Sequence, residues 1–278
     1  MAKGIGLIGN FKGKVGNMVG YKLSDSNTGN TQGIRVYQPI VRNPKTSAQA
    51  EQRAKLAPIN ATYRALKMVI DRGNEGLPYG NKSRLAWLKQ AFKAETMPWF
   101  EKGQSVSSPV LCMISKGSLP SIYKWTKDFD KVQLAVDGIT AAGTTTVGAL
   151  STSLLAAYPS LKDGDQLTYV ECETLLGQLV AHINSLVIDT TSTAAIPAFL
   201  KVEDDMLIPN TITGDCIAGC IIVSREGANG EHLRSTEALC QLSGYDEDLF
   251  GAEAKAAAIA SYQSAGAGNS DWAEESIQ

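Results

Sequence analysis

The chain has 278 residues, of which 44% are hydrophobic and 19% are charged, and its formal net charge at pH 7 is −2. This composition is too apolar for a disordered protein, and no uninterrupted apolar run approaches the roughly 18 residues of a membrane-spanning helix. Residues Met1 to Gly6 lack the features of a secretory signal, so we expect a folded protein that is not exported by that route.

The first predicted element is a β-hairpin in a glycine-rich segment. Six glycines lie between Gly4 and Gly20, a density that is typical of bulged or closely packed strands. Residues 14–23 suit a single strand, and residues 24–33 are turn-forming throughout. Residues 34–41 alternate well enough to form the returning strand, so the segment predicts a hairpin.

Two amphipathic helices are predicted after the hairpin. Thr46 is placed to cap the first, because Gln49 three residues later completes a capping-box pattern. Pro58 is expected to kink or restart this helix. Its apolar stripe, spaced by three and four residues, consists of Leu56, Ile59, Tyr63, Leu66 and Ile70. The second helix is predicted at residues 81–96, with Leu85, Leu88, Ala91 and Phe92 facing inward.

Short β-like runs dominate after residue 102. They cover residues 121–125, 132–136, 144–147, 166–173, 182–189, 216–224 and 232–242. A short helix at 151–158 and an alanine-rich helix at 251–264 complete the elements. The predicted fold is α+β: an N-terminal β-hairpin with two amphipathic helices, then an antiparallel, immunoglobulin-like β-sandwich, then a helical tail. The corresponding segments are 1–102, 103–250 and 251–278.

The small net charge conceals a strong asymmetry along the chain. Residues 1–102 hold 17 Lys and Arg against 6 Asp and Glu, a net charge of +11, whereas residues 103–278 hold 9 against 22, a net charge of −13. Such asymmetry indicates a polyanionic partner for the basic end or contact between the opposite ends of two copies. Two solvated surfaces that merely differ in charge remain the alternative.

The sequence contains partial matches to two nucleotide-binding motifs, and neither match is complete. Gly4, Gly6 and Gly9 match the letters of a dinucleotide-binding loop, but no strand precedes them and more strand is expected after them. Gly13 and Lys14 do not form a phosphate-binding loop either, because Ile occupies position 8 and Val occupies position 15. We predict no bound cofactor.

The cysteines are predicted to be free thiols in the core. Their odd number and scattered positions argue against a disulfide framework. They are Cys112, Cys172, Cys216, Cys220 and Cys240. Cys216 and Cys220 have no neighbouring histidine or cysteine pair that would complete a zinc site, and on a strand both would share one face with Ala218 and Ile222. We predict no metal site.

No constellation of residues predicts catalysis. The serines lack a nucleophile-elbow signature. His182 lies in an apolar run and is expected in the core or at a strand edge, whereas His232 follows a glycine turn and is expected to be exposed. Glu171 and Glu173 would share one strand face, which we expect to be solvated. The sequence therefore predicts a protein that is not an enzyme.

The basic N-terminal segment is the feature that points most directly to a function. Its cations could follow phosphates or meet an acidic neighbour, with Tyr21, Tyr37 and Tyr63 available for stacking. The predicted contact residues are Lys12, Lys14, Lys22, Arg35, Arg42, Lys45, Arg53 and Lys55. No base-reading motif accompanies them, so sequence-specific DNA recognition is not expected.

Three motifs resemble those of a known family. They are GKVGNMVGY (13–21), NPKTSAQAEQRAK (43–55) and SKGSLP (115–120). In this order they resemble an uncharacterised domain family that is abundant in Bacteroidetes chromosomes and in their phages and prophages. The resemblance implies a β-rich, immunoglobulin-like second half and brings no catalytic residue. It also implies a virion or assembly component, located in a virion or in the bacterial cytoplasm.

Two functions are expected from these observations. The first is a structural, phage-type protein that self-associates through its hairpin edge and complementary charge, with further copies or other virion proteins as partners. The second is a protein that binds nucleic acid without sequence preference through its basic N-terminal segment. An enzyme of unrecognised mechanism ranks below both.

Overall fold

The computed structural model describes residues 13–22, 32–37, 46–122, 129–136, 139, 145–212 and 216–264. Contacts divide the chain into two compact units, residues 1–45 and residues 46–278, and each is described by itself. Helices and antiparallel strands both contribute. The predicted α+β class is confirmed. No helix in these described ranges is long and apolar enough to cross a membrane.

The first unit contains a three-stranded antiparallel sheet. Its strands are β1 (Gly13–Val15), β2 (Met18–Lys22) and β3 (Gln32–Val36), in the order β1-β2-β3. Gly16 and Asn17 form a two-residue turn between β1 and β2, and Gly16 has a φ of 54°, which favours glycine. The prediction of one continuous strand over residues 14–23 is therefore wrong, because this turn reverses the chain inside it.

Three helices open the second unit: α1 (Ser47–Ala65), α2 (Lys67–Ile70) and α3 (Asn81–Ala91). The Thr46 hydroxyl accepts a hydrogen bond from the backbone N of Gln49 at 3.3 Å, which confirms the predicted helix start. Helix α1 continues through Pro58 instead of restarting. The Thr62 hydroxyl donates to the Pro58 carbonyl at 2.8 Å and accepts from the backbone N of Val110 at 2.9 Å.

The buried faces of these helices differ in part from the predicted ones. Ile59, Leu66 and Ile70 are fully buried, but Leu56, predicted beside them, is exposed. In α3 the buried side chains include Trp87, and Leu85 is 51% exposed, so its predicted inward position is wrong. The helix buries Ser83, Trp87 and Ala91, four residues apart, and this stripe turns Leu85 toward solvent.

The remaining elements are mostly strands. In chain order they are β4 (Met113–Ser115), β5 (Leu134–Ala135), α4 (Val147–Ala157), β6 (Gln166–Leu175), β7 (Gln178–Val187), β8 (Leu200–Glu203), β9 (Met206–Pro209), β10 (Cys216–Glu226), β11 (His232–Arg234), β12 (Glu237–Ala238), β13 (Cys240–Gln241), a 3-10 turn (Glu247–Phe250) and α5 (Ala252–Ser264). Of the strand predicted at 144–147, residues 145–147 are described and do not form a strand, because Thr146 caps α4 through the backbone N of Ala149. The strand predicted at 232–242 is divided into three short strands.

A central antiparallel sheet lies between two hydrophobic cores. Its order is β11-β10-β6-β7, with β13 also paired to β10. On one face, Val170 and Cys220 pack with the core that α1, α2 and α3 share. On the other face, Tyr169 and Ile221 pack with α4 and with the small sheet β5-β9-β8. These layers do not confirm the immunoglobulin-like sandwich, since helices pack against both faces of the sheet.

The compact units differ from the segments that charge and composition predict. Apolar side chains from both sides of residue 102, such as Trp87 and Val170, share one cluster, and Ala258 of α5 belongs to it as well. The predicted boundaries at residues 102 and 250 mark changes in charge and composition along the sequence. They stay predictions, because they were not drawn from packing.

Candidate functional sites

One face of the N-terminal sheet carries cations. Lys14 pairs with Val19 across β1 and β2, and Val19 pairs with Arg35 across β2 and β3, so the three side chains project from the same face. Lys14 and Arg35 are exposed. The Lys14 Nζ atom lies 3.7 Å from the centroid of the Tyr37 ring, within the range of a cation–π interaction. Two of the predicted contact residues are thus brought together beside an aromatic ring.

The opposite face of this sheet exposes an apolar pair. Met18 and Val36 are direct cross-strand partners on β2 and β3, one register position away from Val19 and Arg35. Because successive side chains of a strand alternate between faces, they project away from the cationic face. Met18 is 41% exposed and Val36 is 71% exposed. We call Met18 and Val36 the apolar pair.

The other predicted contact residues are dispersed. Lys22 ends β2, where its backbone pairs with that of Gln32. Arg53 is exposed on α1, but Lys55 binds Glu51 at 3.2 Å, and Glu51 also binds Lys255 of α5 at 3.0 Å. Lys55 therefore belongs to a contact between α1 and α5. Lys12, Arg42 and Lys45 lie outside the described residues.

The two compact units carry opposite net charges. Residues 1–45 hold 7 Lys and Arg against 1 Asp or Glu, a net charge of +6. Residues 46–278 hold 19 against 27, a net charge of −8, and the two values sum to the −2 of the whole chain. The basic unit and the acidic unit are therefore complementary in charge.

The SKGSLP segment (115–120) is a junction of three chain segments. Both the backbone N and the hydroxyl of Ser118 donate to the Glu75 carboxylate at 2.9 Å, and the backbone N of Arg234 donates to it at 3.1 Å. Burial raises the pKa of Glu75, but these hydrogen bonds outweigh burial and hold it below its ordinary value. The backbone N of Gly117 donates to the Thr236 hydroxyl, and this hydroxyl donates to the Gly117 carbonyl. The segment thus fixes the loop before α3 against β11 and β12.

A buried carboxylate pair lies on strand β6. Glu171 is 1% exposed and Glu173 is buried too, so the predicted solvated face is wrong. The reason is that both faces of the central sheet are covered. Glu173 Oε1 lies 2.7 Å from His182 Nε2, and the Thr211 hydroxyl donates to Glu171 Oε2 at 3.0 Å. Glu171 Oε1 has no hydrogen-bond partner among the described residues.

Burial raises the pKa of Glu171. The neighbouring Glu173 adds to this rise, while the Thr211 hydrogen bond, His182 and Lys131 oppose it. A carboxyl whose pKa is higher in the folded state favours folding while it is protonated and loses that contribution as pH rises through the folded pKa. Glu171 therefore destabilises the fold at neutral pH.

We expect Glu171→Gln to raise the free energy of unfolding at pH 7 by about 1 kcal/mol, because a neutral amide replaces a buried carboxyl and its oxygen still accepts from Thr211. The gain should shrink toward pH 4, where the wild-type carboxyl becomes largely protonated in both states. Urea unfolding between pH 4 and pH 8 measures it. Glu203→Gln is the control, since Glu203 is exposed. A loss of stability at pH 7 would contradict this account.

The cysteines are core residues, as predicted. Cys112, Cys172, Cys216 and Cys220 are buried and Cys240 is half-buried. Burial raises the pKa of Cys112 and of Cys216 to about 12. Cys216 does not share the face of Cys220, however, because a register shift between Cys216 and Ala218 turns it to the other core. No group of His, Cys, Asp and Glu in the described ranges could hold a metal ion.

A cavity that the sequence did not predict lies beside the SKGSLP junction. It has a volume of about 470 Å³ and is lined by the loop after α2 and by β11 with the turn before it. Its polar lining includes Arg72, Tyr79, His232 and Arg234. His232 is exposed, as expected. These residues come from segments about 150 positions apart, and no local pattern links them.

Comparison of the chain with protein-family models, with curated proteins and with solved structures gave no match. The resemblance to the Bacteroidetes and phage family therefore stays a prediction. Function has to be argued from the two compact units and their surfaces.

Proposed function

We propose that the chain is a non-enzymatic structural protein, of the phage virion or assembly type, that self-associates through its N-terminal sheet. The observation that carries this proposal is the apolar pair, which is exposed on the sheet of the first compact unit. Exposed apolar surface of this kind is typical of an interaction site. The partner that we propose is a second copy or another virion protein.

The size of the sheet supports self-association. Strands β1, β2 and β3 have three, five and five residues, and small antiparallel sheets gain stability by packing against another element. In the order β1-β2-β3, the outer edges of β1 and β3 have no strand partner among the described residues. Such edges accept a strand from a neighbouring chain through backbone hydrogen bonds.

Charge provides a means of orienting the copies. The basic unit has a net charge of +6 and the acidic unit −8, so contact between unlike units of two copies is favoured and contact between like units is opposed. The resemblance of the three motifs to a phage-associated family points in the same direction. Together these observations favour an assembling subunit over a catalyst.

The test is the oligomeric state of the full chain. We expect sedimentation velocity to show concentration-dependent oligomers, and we expect the double variant M18D/V36D to shift the population to monomer by at least about tenfold, because two charges would enter an apolar contact. Met68→Asp is the matched control, since Met68 is 74% exposed on α2. A wild-type protein that stays monomeric at high concentration would overturn the proposal.

Nucleic-acid binding is the second candidate, favoured by the position of Lys14, Arg35 and Tyr37 on the N-terminal sheet. Fluorescence anisotropy with a single-stranded oligonucleotide at increasing salt tests it. An affinity that falls steeply with salt would support it, and the absence of binding at low salt would exclude it.

A further inference from the structure

The cavity beside the SKGSLP junction is lined by charged side chains from two segments of the chain. Arg72 and Arg234 both line it, and His232 contributes a third nitrogen-bearing side chain. Burial lowers the pKa of Arg234, and the nearby positive charge of Arg72 lowers it further, although Tyr79 opposes the decrease. Arg234 is thus half-buried and within electrostatic reach of Arg72, which is exposed.

Glu75 and Glu231 also line the cavity, but neither carboxylate forms an ion pair with these arginines. Neither Arg72 nor Arg234 forms an ion pair with a described residue. The Glu75 carboxylate is occupied by Ser118 and by the backbone N of Arg234, not by its guanidinium. Glu231 also lines the cavity, where its Oε2 accepts from the backbone N of Asn229 at 2.9 Å. A partly buried arginine without an acidic partner is energetically unfavourable unless a ligand supplies the negative charge.

The rest of the lining suits a planar organic group. The Tyr79 ring is 53% exposed, lies 5.6 Å from the Arg72 guanidinium carbon and lies 6.0 Å from the His232 ring. Leu77 and Pro78 add apolar surface on the same side. Aromatic rings of this kind stack on planar ligands, while arginine binds oxyanions through paired hydrogen bonds.

We propose that this cavity binds the phosphate monoester of a small aromatic molecule, with the phosphate on Arg72 and Arg234 and the ring against Tyr79. A phosphate is favoured over a carboxylate because two arginines line the cavity, and a doubly charged anion neutralises both. The apolar lining provides the additional affinity for the ring. The site is independent of the N-terminal sheet and does not rest on the assembly proposal.

Isothermal titration of the full chain tests the site with three probes: phenyl phosphate, inorganic phosphate and benzoate. We expect saturable binding of phenyl phosphate, weaker binding of inorganic phosphate, which lacks the ring, and weaker binding of benzoate, which carries one charge. Arg234→Met should weaken phenyl phosphate binding by at least about tenfold. Arg72→Met should weaken phenyl phosphate binding to the same extent. Because Arg72 is exposed, this variant still tests the site if the more buried Arg234 is needed for folding.

Arg64→Met is the matched control, because Arg64 is exposed on α1 and does not line the cavity. It should bind phenyl phosphate as the wild type does. The proposal is overturned if no saturable binding occurs, if benzoate binds as tightly as phenyl phosphate, or if a folded Arg72→Met or Arg234→Met variant retains wild-type affinity.

Discussion

Gly117→Ala is expected to lower the free energy of unfolding by more than about 4 kcal/mol. A Cβ atom at Gly117 would overlap the backbone carbonyl of Arg234 and would lie 2.6 Å from Glu75 Oε2. Neither neighbour can withdraw easily, because the Arg234 carbonyl accepts from the backbone N of Leu119 and the Glu75 carboxylate is held by Ser118. The SKGSLP junction would have to separate from β11.

Urea unfolding at pH 7 measures this loss. Gly251→Ala is the matched control, since its φ of −70° suits alanine and the nearest atom to an added Cβ lies 3.8 Å away. We expect the control to change the free energy of unfolding by less than about 1 kcal/mol. A Gly117→Ala variant as stable as Gly251→Ala would show that the junction is not as rigid as described.

Arg225→Ala is expected to lower the free energy of unfolding by about 3–5 kcal/mol, because it leaves a buried charge without its partner. Asp165 is fully buried, and Arg225 donates to it from Nε at 2.6 Å and from a terminal nitrogen at 2.7 Å. The backbone N of Lys162 also donates to Asp165 at 2.8 Å. This single amide cannot replace the two hydrogen bonds and the positive charge that the variant loses.

The measurement is again the free energy of unfolding at pH 7. Lys201→Ala is the control, because the pair of Lys201 with Glu203 is exposed and should contribute less than about 1 kcal/mol. A cost for Arg225→Ala no larger than this control would contradict the expected role of the buried pair.

Local patterns in the sequence predicted many of the elements. Thr46 with Gln49 marked the start of α1, and short runs of β-forming residues predicted β6 and β10. Hydrogen bonds near a helix end and strand propensity act over a few residues, so a single sequence reveals them. The two-residue turn at Gly16 and Asn17 is also local, and its Gly-Asn pair was the available signal.

Predictions that depended on tertiary packing were less successful. The face that α3 buries depends on where Trp87 fits, and this left Leu85 exposed. The carboxylates Glu171 and Glu173 were expected in solvent, because an antiparallel sheet commonly has one face exposed to water. In this protein both faces of the sheet are covered. The phosphate cavity joins Arg72 to Arg234 through the fold alone, so no spacing along the chain could have indicated it.

The central sheet is shared between the two hydrophobic cores, because alternate residues of β6 and β10 point into one or the other. Removing the helices from one face would expose backbone and side chains that also support the opposite core. Opening one core therefore also exposes the sheet that supports the other. We expect residues 46–264 to unfold in one cooperative transition, without a stable intermediate in which a single core stays folded.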